Sequence, residues 1–454
     1  MITNKFFKII YVLLFIFFIV VKVLITWKSD VGLSAFDSNS YFNPTLSNPV
    51  RMPQLSFIFL TLNDFGAISV FQSLFSITSW TLFILSTNLI FNDYRERILL
   101  LILVSLLSIS FPVMKFDSII LSESFAINSG LLLISSFIVL YYKFNLRNFI
   151  VFCLSLMVFG FPKQSNIFFA TLISFTVIVI ILFKIFKNKL KFLYIIPIAF
   201  ALIFNLFFYI ISMKNKFIEQ QVTLVNVIER SYDSYELRKY WLEKDFPAIA
   251  YQVYASPPFK TPVQMVNDLP QVKAWKMSDY KSPMEKFTLS HPLFALLAPV
   301  MPQLFIPHFS FYESIFVPLA TGVIELDQTN DINLKTKKTQ PNYFDSINTS
   351  RYFYWPTSEI GIKILMNFIF LNLILFYYLQ SKFKNYSKLT LLTNFLFTFF
   401  CLGSWANWNI ALTYTLDRLL TPWSVILKVI FILTLVSNIE AIKNLFRLKQ
   451  PNKF

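Results

Sequence analysis

Residues 6–26 read FFKIIYVLLFIFFIVVKVLIT, and residues 27–59 continue WKSDVGLSAFDSNSYFNPTLSNPVRMPQLSFIF. The first stretch decides the fold. A bilayer core of about 30 Å needs roughly 20 apolar residues of helix to cross it, which is the length of this run. Lipid offers no partner to exposed backbone N–H and C=O groups, so a run of this kind becomes a helix. It is too long for a signal peptide, and the polar loop after it lacks a small-residue cleavage site, so it reads as a retained first span. The second stretch is the polar interval before the next apolar run. It places Asp37, Tyr41, Arg51 and Pro53 just beyond the end of a membrane helix.

The rest of the chain repeats this alternation. With 56% hydrophobic and 14% charged residues and a mean hydropathy of +0.59, it is excluded from the soluble globular classes. Apolar runs at Phe6–Thr26, Ala67–Phe91, Ile98–Met114, Ser118–Tyr142, Phe149–Phe161, Ile167–Phe186, Phe192–Ser212, Ile360–Leu379, Leu389–Ser404 and Leu419–Ile439 predict an all-α polytopic membrane protein of about ten transmembrane helices. Phe is abundant at 55 residues, so no single Phe carries functional information.

The net charge of +16 does not point to nucleic acid, because the lysines and arginines fall in small groups between apolar runs. Alternate loops carry them: Arg95 and Arg97, Lys143 and Arg147, Lys187 to Lys191, Lys382 to Lys388, and Lys443 to Lys449. By the positive-inside rule these loops and both termini are expected on the cytoplasmic side. The organisation read from this pattern is an N-terminal membrane region over 1–212 with its first outer loop at 28–59, a non-cytoplasmic insert over 213–358, and a C-terminal membrane region over 359–454. Within the insert, the apolar stretch 291–325 is broken by Pro299, Pro302, Pro307 and Pro318, which predicts interfacial or re-entrant helices instead of two plain spans.

The polar residues of the outer side are the candidates for chemistry. Asp37 has the chemistry of a general base for an acceptor hydroxyl, with Tyr41 positioning substrate and Arg51 holding an anionic group; the plainer alternative is a solvated loop carboxylate and an interfacial arginine. In PVMKFDSIILSESF, residues 112–125, a helix beginning at Asp117 would place Glu123 about two turns into a span. A carboxylate there is costly unless it lines a polar cavity or meets a cation, whereas Asp117 can serve as a helix cap. Lys163 and Arg418 stand alone at outer ends of spans, where they either contact a lipid phosphate or simply reach the headgroups. Pro422 after Arg418 suits the first turn of a helix, and Lys428 lies deeper. His291 and His308 are the only histidines and do not by themselves make a metal site; Cys153 and Cys401 form no metal-thiolate or disulfide pattern. No Gly-rich phosphate loop, HExxH or nucleophile elbow is present.

Together, Asp37 and Tyr41 in a D-x-x-x-Y pattern, Arg51 and Pro53 in R-x-P, Ser122-Glu123-Ser124, and Arg418 with Pro422 in R-x-x-x-P resemble the GT-C superfamily of integral-membrane glycosyltransferases, which includes the protein mannosyltransferases and the aminoarabinose transferase of lipid A. The resemblance covers mainly the first third of the chain and one late motif. It implies a polyprenyl-phosphate-linked sugar donor and a glycan, lipid or protein acceptor on the non-cytoplasmic face of a bacterial cell membrane. It implies no separate cofactor and leaves a divalent metal open. By the same resemblance Asp37 is the catalytic base, Glu123 is a second acidic group near the acceptor or donor site, and Arg51, Lys163 and Arg418 are contacts to the lipid phosphate; Asp117, close to Glu123, and His291, in the insert, join them as acidic and phosphate-contact candidates from the residues alone. The first-loop motif carries one acidic residue where the protein mannosyltransferases commonly show an adjacent pair, so the acceptor class stays open. A polysaccharide polymerase or ligase, a lipid-linked sugar flippase or transporter, and a non-catalytic scaffold are the competing readings. Seven glycines in the whole chain speak against the transporter, which calls for Gly-broken spans.

Overall fold

The computed structural model describes residues 2–27, 53–62, 64–118, 122–187, 190–212, 227–228, 235–255, 265, 268–277, 290–292, 359–382, 387–410 and 416–448. Among the described residues the fold is helical throughout and has no strand. The helices are α1 (Ile2–Trp27), α2 (Pro53–Leu62), α3 (Phe65–Thr87), α4 (Tyr94–Ser108), α5 (Phe111–Ser118), α6 (Ser122–Tyr142), α7 (Leu146–Gly160), α8 (Gln164–Phe186) and α9 (Ile195–Ser212), the last preceded by a 3-10 turn at Phe192–Tyr194. Three short helices follow, α10 (Tyr235–Leu242), α11 (Ala248–Ala255) and α12 (Pro270–Met277), and then α13 (Glu359–Lys382), α14 (Ser387–Ile410) and α15 (Leu416–Leu448).

Among the described residues six helices are long and apolar enough to cross a membrane, over Lys5–Thr26, Gly66–Thr87, Ser122–Tyr142, Ser165–Phe186, Phe192–Ser212 and Pro422–Lys443. Three of the other expected spans correspond to shorter apolar helices at Leu146–Gly160, Asn367–Ser381 and Leu389–Gly403. The outward faces agree with a lipid surround. Along α9, Ile196, Phe200, Ile203, Phe207 and Ile210 are exposed at helical spacing, a continuous apolar stripe that water would not tolerate and lipid does. These helices mark a membrane protein.

Polar residues in the turns start the helices. Asp64 caps α3 by accepting from Ala67 N at 2.7 Å, Asp93 caps α4, and Asn145 caps α7 by accepting from Asn148 N at 2.9 Å. The bundle is organised around α6, which packs on α3, α5, α7 and α15. Helix α15 also packs on α4, α13 and α14, so the C-terminal helices share one core with the N-terminal ones. Phe159, Phe169, Phe399 and Trp423 interlock α7, α8, α14 and α15, with ring centroids 5.2–6.0 Å apart.

Four expectations are corrected. The span expected over Ile98–Met114 is two helices, α4 and α5. The Ser108 and Ser110 hydroxyls turn back onto the carbonyls of Ser105 and Leu107, and Pro112 has no N–H to continue the ladder. Asp117 therefore does not open the following helix; it lies in the last turn of α5, and Glu123 is in the first turn of α6 instead of two turns in. Pro422 is in the second turn of α15, not the first, because that helix begins at Leu416. The expected outer loop 28–59 also ends early, since Pro53–Leu62 is helical. Its Leu55 and Phe59 bury against Ile68 and Phe125.

The described helices of the insert bury a small aromatic core. Trp241, Phe246, Tyr251 and Trp275 meet edge to face, and Trp241 is fully buried. The stretch 293–325 lies outside the described residues, and with it the interfacial or re-entrant character expected there.

Candidate functional site

Burying a charge is costly unless it is paired and hydrogen-bonded, so fully buried ionic groups in an apolar bundle point to where the chain has spent stability for a purpose. Among the described residues two buried lysine–carboxylate pairs lie at one end of this bundle. Lys22, near the end of α1, has its Nζ 3.3 Å from Asp117 Oδ2, and the two side chains are 0% and 2% exposed. Glu123, at the head of α6, has Oε1 3.3 Å from Lys163 Nζ, at the residue before α8.

The two carboxylates have different surroundings. Asp117 accepts at Oδ2 from Lys22 and from Ser76 Oγ at 2.5 Å, and at Oδ1 from Ser124 Oγ at 2.8 Å and Asn128 Nδ2 at 3.3 Å. An ionised carboxylate has about four acceptor sites, so this one is saturated by donors from α1, α3 and α6. Lys22 also donates to Ser108 O at 3.0 Å and stands 5.7 Å from the centroid of the buried Trp80 ring. Glu123 receives the Ser122 hydroxyl at Oε2 over a long 3.4 Å and meets the lysine at Oε1.

Helix α2 connects this end to the first loop. Phe59 of α2 and Phe75 of α3 pack on Phe125, two residues after Glu123, at ring centroids of 5.8 and 5.5 Å. Residue 28 follows Trp27, five residues beyond Lys22, and residue 52 precedes Pro53 of α2. Both ends of the segment that carries Asp37, Tyr41 and Arg51 are thus anchored at the end of the bundle that holds the ion pairs.

The opposite end is tied by different contacts: Arg95 over the Phe7 ring at 4.7 Å, Asn88 Nδ2 donating to Tyr11 OH at 2.9 Å, and Lys443 3.8 Å from Asp93. Glu96 is partly buried there, outside the apolar run. Loss of solvent, then the carboxylates of Glu440 and Asp93, push its carboxyl up to about 7 against the opposing pull of Lys443.

Of the candidate residues, the structure brings Glu123 and Lys163 together and gives Asp117 a lysine of its own. His291 belongs to the insert, where it meets Ser290 Oγ at 2.9 Å and the Tyr240 ring edge-on at 5.1 Å. Arg418 is in the first turn of α15, with its side chain outside the described set, and Asp37, Tyr41, Arg51 and His308 lie outside the described residues altogether. Lys428 is buried at 1% exposure in the helix that packs on α4 and α6. Among the described residues no group of three or more His, Cys, Asp or Glu is disposed to hold a metal ion.

Sequence reasoning missed Lys22, Ser76 and Asn128. Lys22 carried a readable signal, since an ionisable residue inside an apolar run demands a partner. Ser76 and Asn128 carried none, because a hydroxyl or amide in a span is common enough to pass unnoticed.

The class defined by this fold and site is a membrane protein whose described residues are helical, with two lysine–carboxylate pairs among them buried at one end of the bundle. No protein-family model, curated protein or solved structure matches the chain.

Proposed function

We propose that the protein is a membrane glycosyltransferase, similar to the GT-C superfamily, that moves a sugar from a polyprenyl-phosphate-linked donor to an acceptor at the end of the bundle where Glu123 and Lys163 meet. The observation that carries this reading is the Glu123–Lys163 pair itself, 3.3 Å apart and withdrawn from solvent, at the end of the bundle from which the Asp37 and Arg51 segment leaves and to which it returns. The reaction needs few parts, because a phosphate-linked sugar already carries its leaving group. A base takes the proton of the acceptor hydroxyl, that oxygen bonds to the anomeric carbon, and the anomeric C–O bond to phosphate breaks with its electrons going to the phosphate. Asp37 is the base, Arg51 and Lys163 stabilise the departing phosphate, and Glu123 holds Lys163 in its charged form until the phosphate competes for it. Asp117, saturated by four donors, takes no proton-transfer step. The lipid chain runs along the apolar outer surface of the helices.

In the same reading about ten segments cross the membrane, with α4 in place of the continuous span over Ile98–Met114, the basic loops and both termini are cytoplasmic, and the site faces outward in a bacterial cell membrane. The test is transfer of radiolabelled sugar from extracted polyprenyl-linked donors, in membranes carrying the wild type, Asp37→Asn and Glu123→Gln at matched amounts. Loss of turnover in Asp37→Asn, with folded protein retained, supports the transferase. Turnover that survives both changes favours a polysaccharide polymerase or ligase working through loop arginines, and absence of turnover in the wild type across donors removes the reading.

A further inference from the structure

The Lys22–Asp117 pair is too elaborate to be a simple neutralisation. Asp117 is the meeting point of three helices beyond its own: Lys22 from α1, Ser76 from α3, and both Ser124 and Asn128 from α6. The last two are one helical turn apart, and Asn128 Nδ2 also donates to Ser124 Oγ at 3.1 Å. Two donors a turn apart on one helix, both gripped by one carboxylate oxygen, fix the rotation of that helix about its axis as well as its position. Ser124 is the residue after Glu123. At about 100° per residue the rotation that turns Ser124 to Asp117 sets the direction of Glu123 as well.

We infer that Lys22 is a positioning residue: by holding Asp117 at the crossing of α1, α3 and α5, it fixes the rotation of the head of α6 and so aims the Glu123 carboxylate at Lys163. This role rests on the proposed transferase only for its consequence in catalysis. The geometry itself stands without it. Lys22 suits the task because its ammonium also donates to Ser108 O at 3.0 Å, which ties Asp117 to the end of α4. Without that cation Asp117 keeps a buried charge held by two hydroxyls and an amide, and it must move toward solvent or take up a proton. In either case its hold on Ser124 and Asn128 changes.

The aim of Glu123 can be read without any enzyme assay. Dicyclohexylcarbodiimide reaches carboxyls inside membranes, and an activated carboxyl passes its acyl group to an amine in contact with it, giving an amide and the urea. In the full-length protein in lipid nanodiscs, the Glu123–Lys163 amide is quantified by mass spectrometry for the wild type, Lys22→Arg, Lys22→Met and Ser124→Ala. The wild type and Lys22→Arg, which keeps the charge and the donors, are expected to give the cross-link in comparable yield. Lys22→Met and Ser124→Ala are expected to lose it severalfold while the helical content stays at the wild-type level.

Should Lys22→Met fail to fold, Ser124→Ala decides the matter, because it removes only the Ser124 hydroxyl, with its hydrogen bonds to Asp117 and from Asn128, and keeps all four charged side chains. An unchanged yield in folded Lys22→Met or in Ser124→Ala overturns the assignment. So does a Lys22→Arg protein that loses the cross-link as fully as Lys22→Met. The transfer assay adds a separate arm. Where the wild type is active, a misplacement of Glu123 of the order of 1 Å lowers kcat by about 100-fold with KM little changed. A wild type without transfer activity sinks the transferase reading and leaves the cross-link result to judge the positioning role.

Discussion

Glu123 Oε1 and Lys163 Nζ lie 3.3 Å apart, joining the head of α6 to the start of α8 with 1% and 9% of their side chains exposed. With so little of either side chain exposed, each charge is stabilised by the other. Removing one partner should cost about 3–5 kcal/mol, because the other loses its opposite charge in a buried site. Lys163→Met is therefore expected to lower the denaturation midpoint in detergent far more than the double variant Glu123→Gln, Lys163→Met, which leaves no charge behind. Equal losses in the single and double variants would show that the pair is not coupled.

Helix packing at this end leaves no room at Gly160. A Cβ built there would lie 2.9 Å from Asn205 Oδ1 and 3.2 Å from Ile167 Cγ1, closer than ordinary contacts allow. Gly160→Ala should destabilise the α7–α8–α9 contact by about 1–3 kcal/mol, the usual range for overpacking. The companion change Gly403→Ala drives a Cβ into the Trp423 indole and should loosen α14 from α15, read as faster hydrogen exchange in both helices. A Gly130→Ala control has ordinary contacts, the nearest at 3.9 Å, and should be close to neutral.

At the opposite end, Glu96 gives a pH dependence whose sign follows from its surroundings. Its folded value of about 7 lies above the ordinary 4.5, so between those values the folded state binds the proton that the unfolded chain has released. Stability is then greatest below about 4.5 and falls as pH rises through 7. Glu96→Gln keeps the shape without the titration. It should flatten the change in thermal midpoint between pH 5 and pH 8 and be the more stable protein at pH 8. A wild type and variant with parallel pH profiles would sink the assignment.

In the insert, Tyr251 OH donates to Val227 O at 2.7 Å from a buried position, and burial pushes its phenol above the ordinary value. Tyr251→Phe should cost about 0.5–1.5 kcal/mol, felt locally in α10–α12 because their aromatic core is shared. Hydrogen exchange should quicken around Trp241 and Trp275 and stay unchanged in α6. In an alkaline titration followed by ultraviolet absorbance, the variant should lose one late-ionising tyrosine.

The α13–α15 contact is held by amides. Asn372 Nδ2 donates to Thr434 Oγ1 at 2.7 Å, and Asn438 Nδ2 donates to both Asn372 Oδ1 and Asn372 O at 2.9 Å. Interhelical hydrogen bonds inside membranes average only about 0.6 kcal/mol, so Asn438→Leu should lower stability slightly and leave the cross-link between Glu123 and Lys163 intact. A large loss would mean that the C-terminal helices support the site more strongly than their contacts suggest.

The helical class, most helix positions and the grouping of basic residues were legible in the sequence. Length of apolar run and spacing of charge are one-dimensional quantities, and a bilayer reads them in one dimension too. Glu123 and Lys163 could be named as unusual from the same kind of argument, since each is an ionisable group at the edge of an apolar run. The break at Ile109 and the first turn of α6 at Ser122 were not legible, because Ser108, Ser110 and Pro112 look no different in a continuous span until the hydroxyls are seen on the carbonyls of Ser105 and Leu107. The pairing itself belongs to tertiary structure alone. Lys22 and Asp117 are 95 residues apart, and nothing local distinguishes Lys22 as the partner of Asp117 from Lys163 as the partner of Glu123. Which cation meets which carboxylate is set by how α1, α3, α6 and α8 pack, and the energy that rewards the correct pairing exists only once water has been excluded from between them.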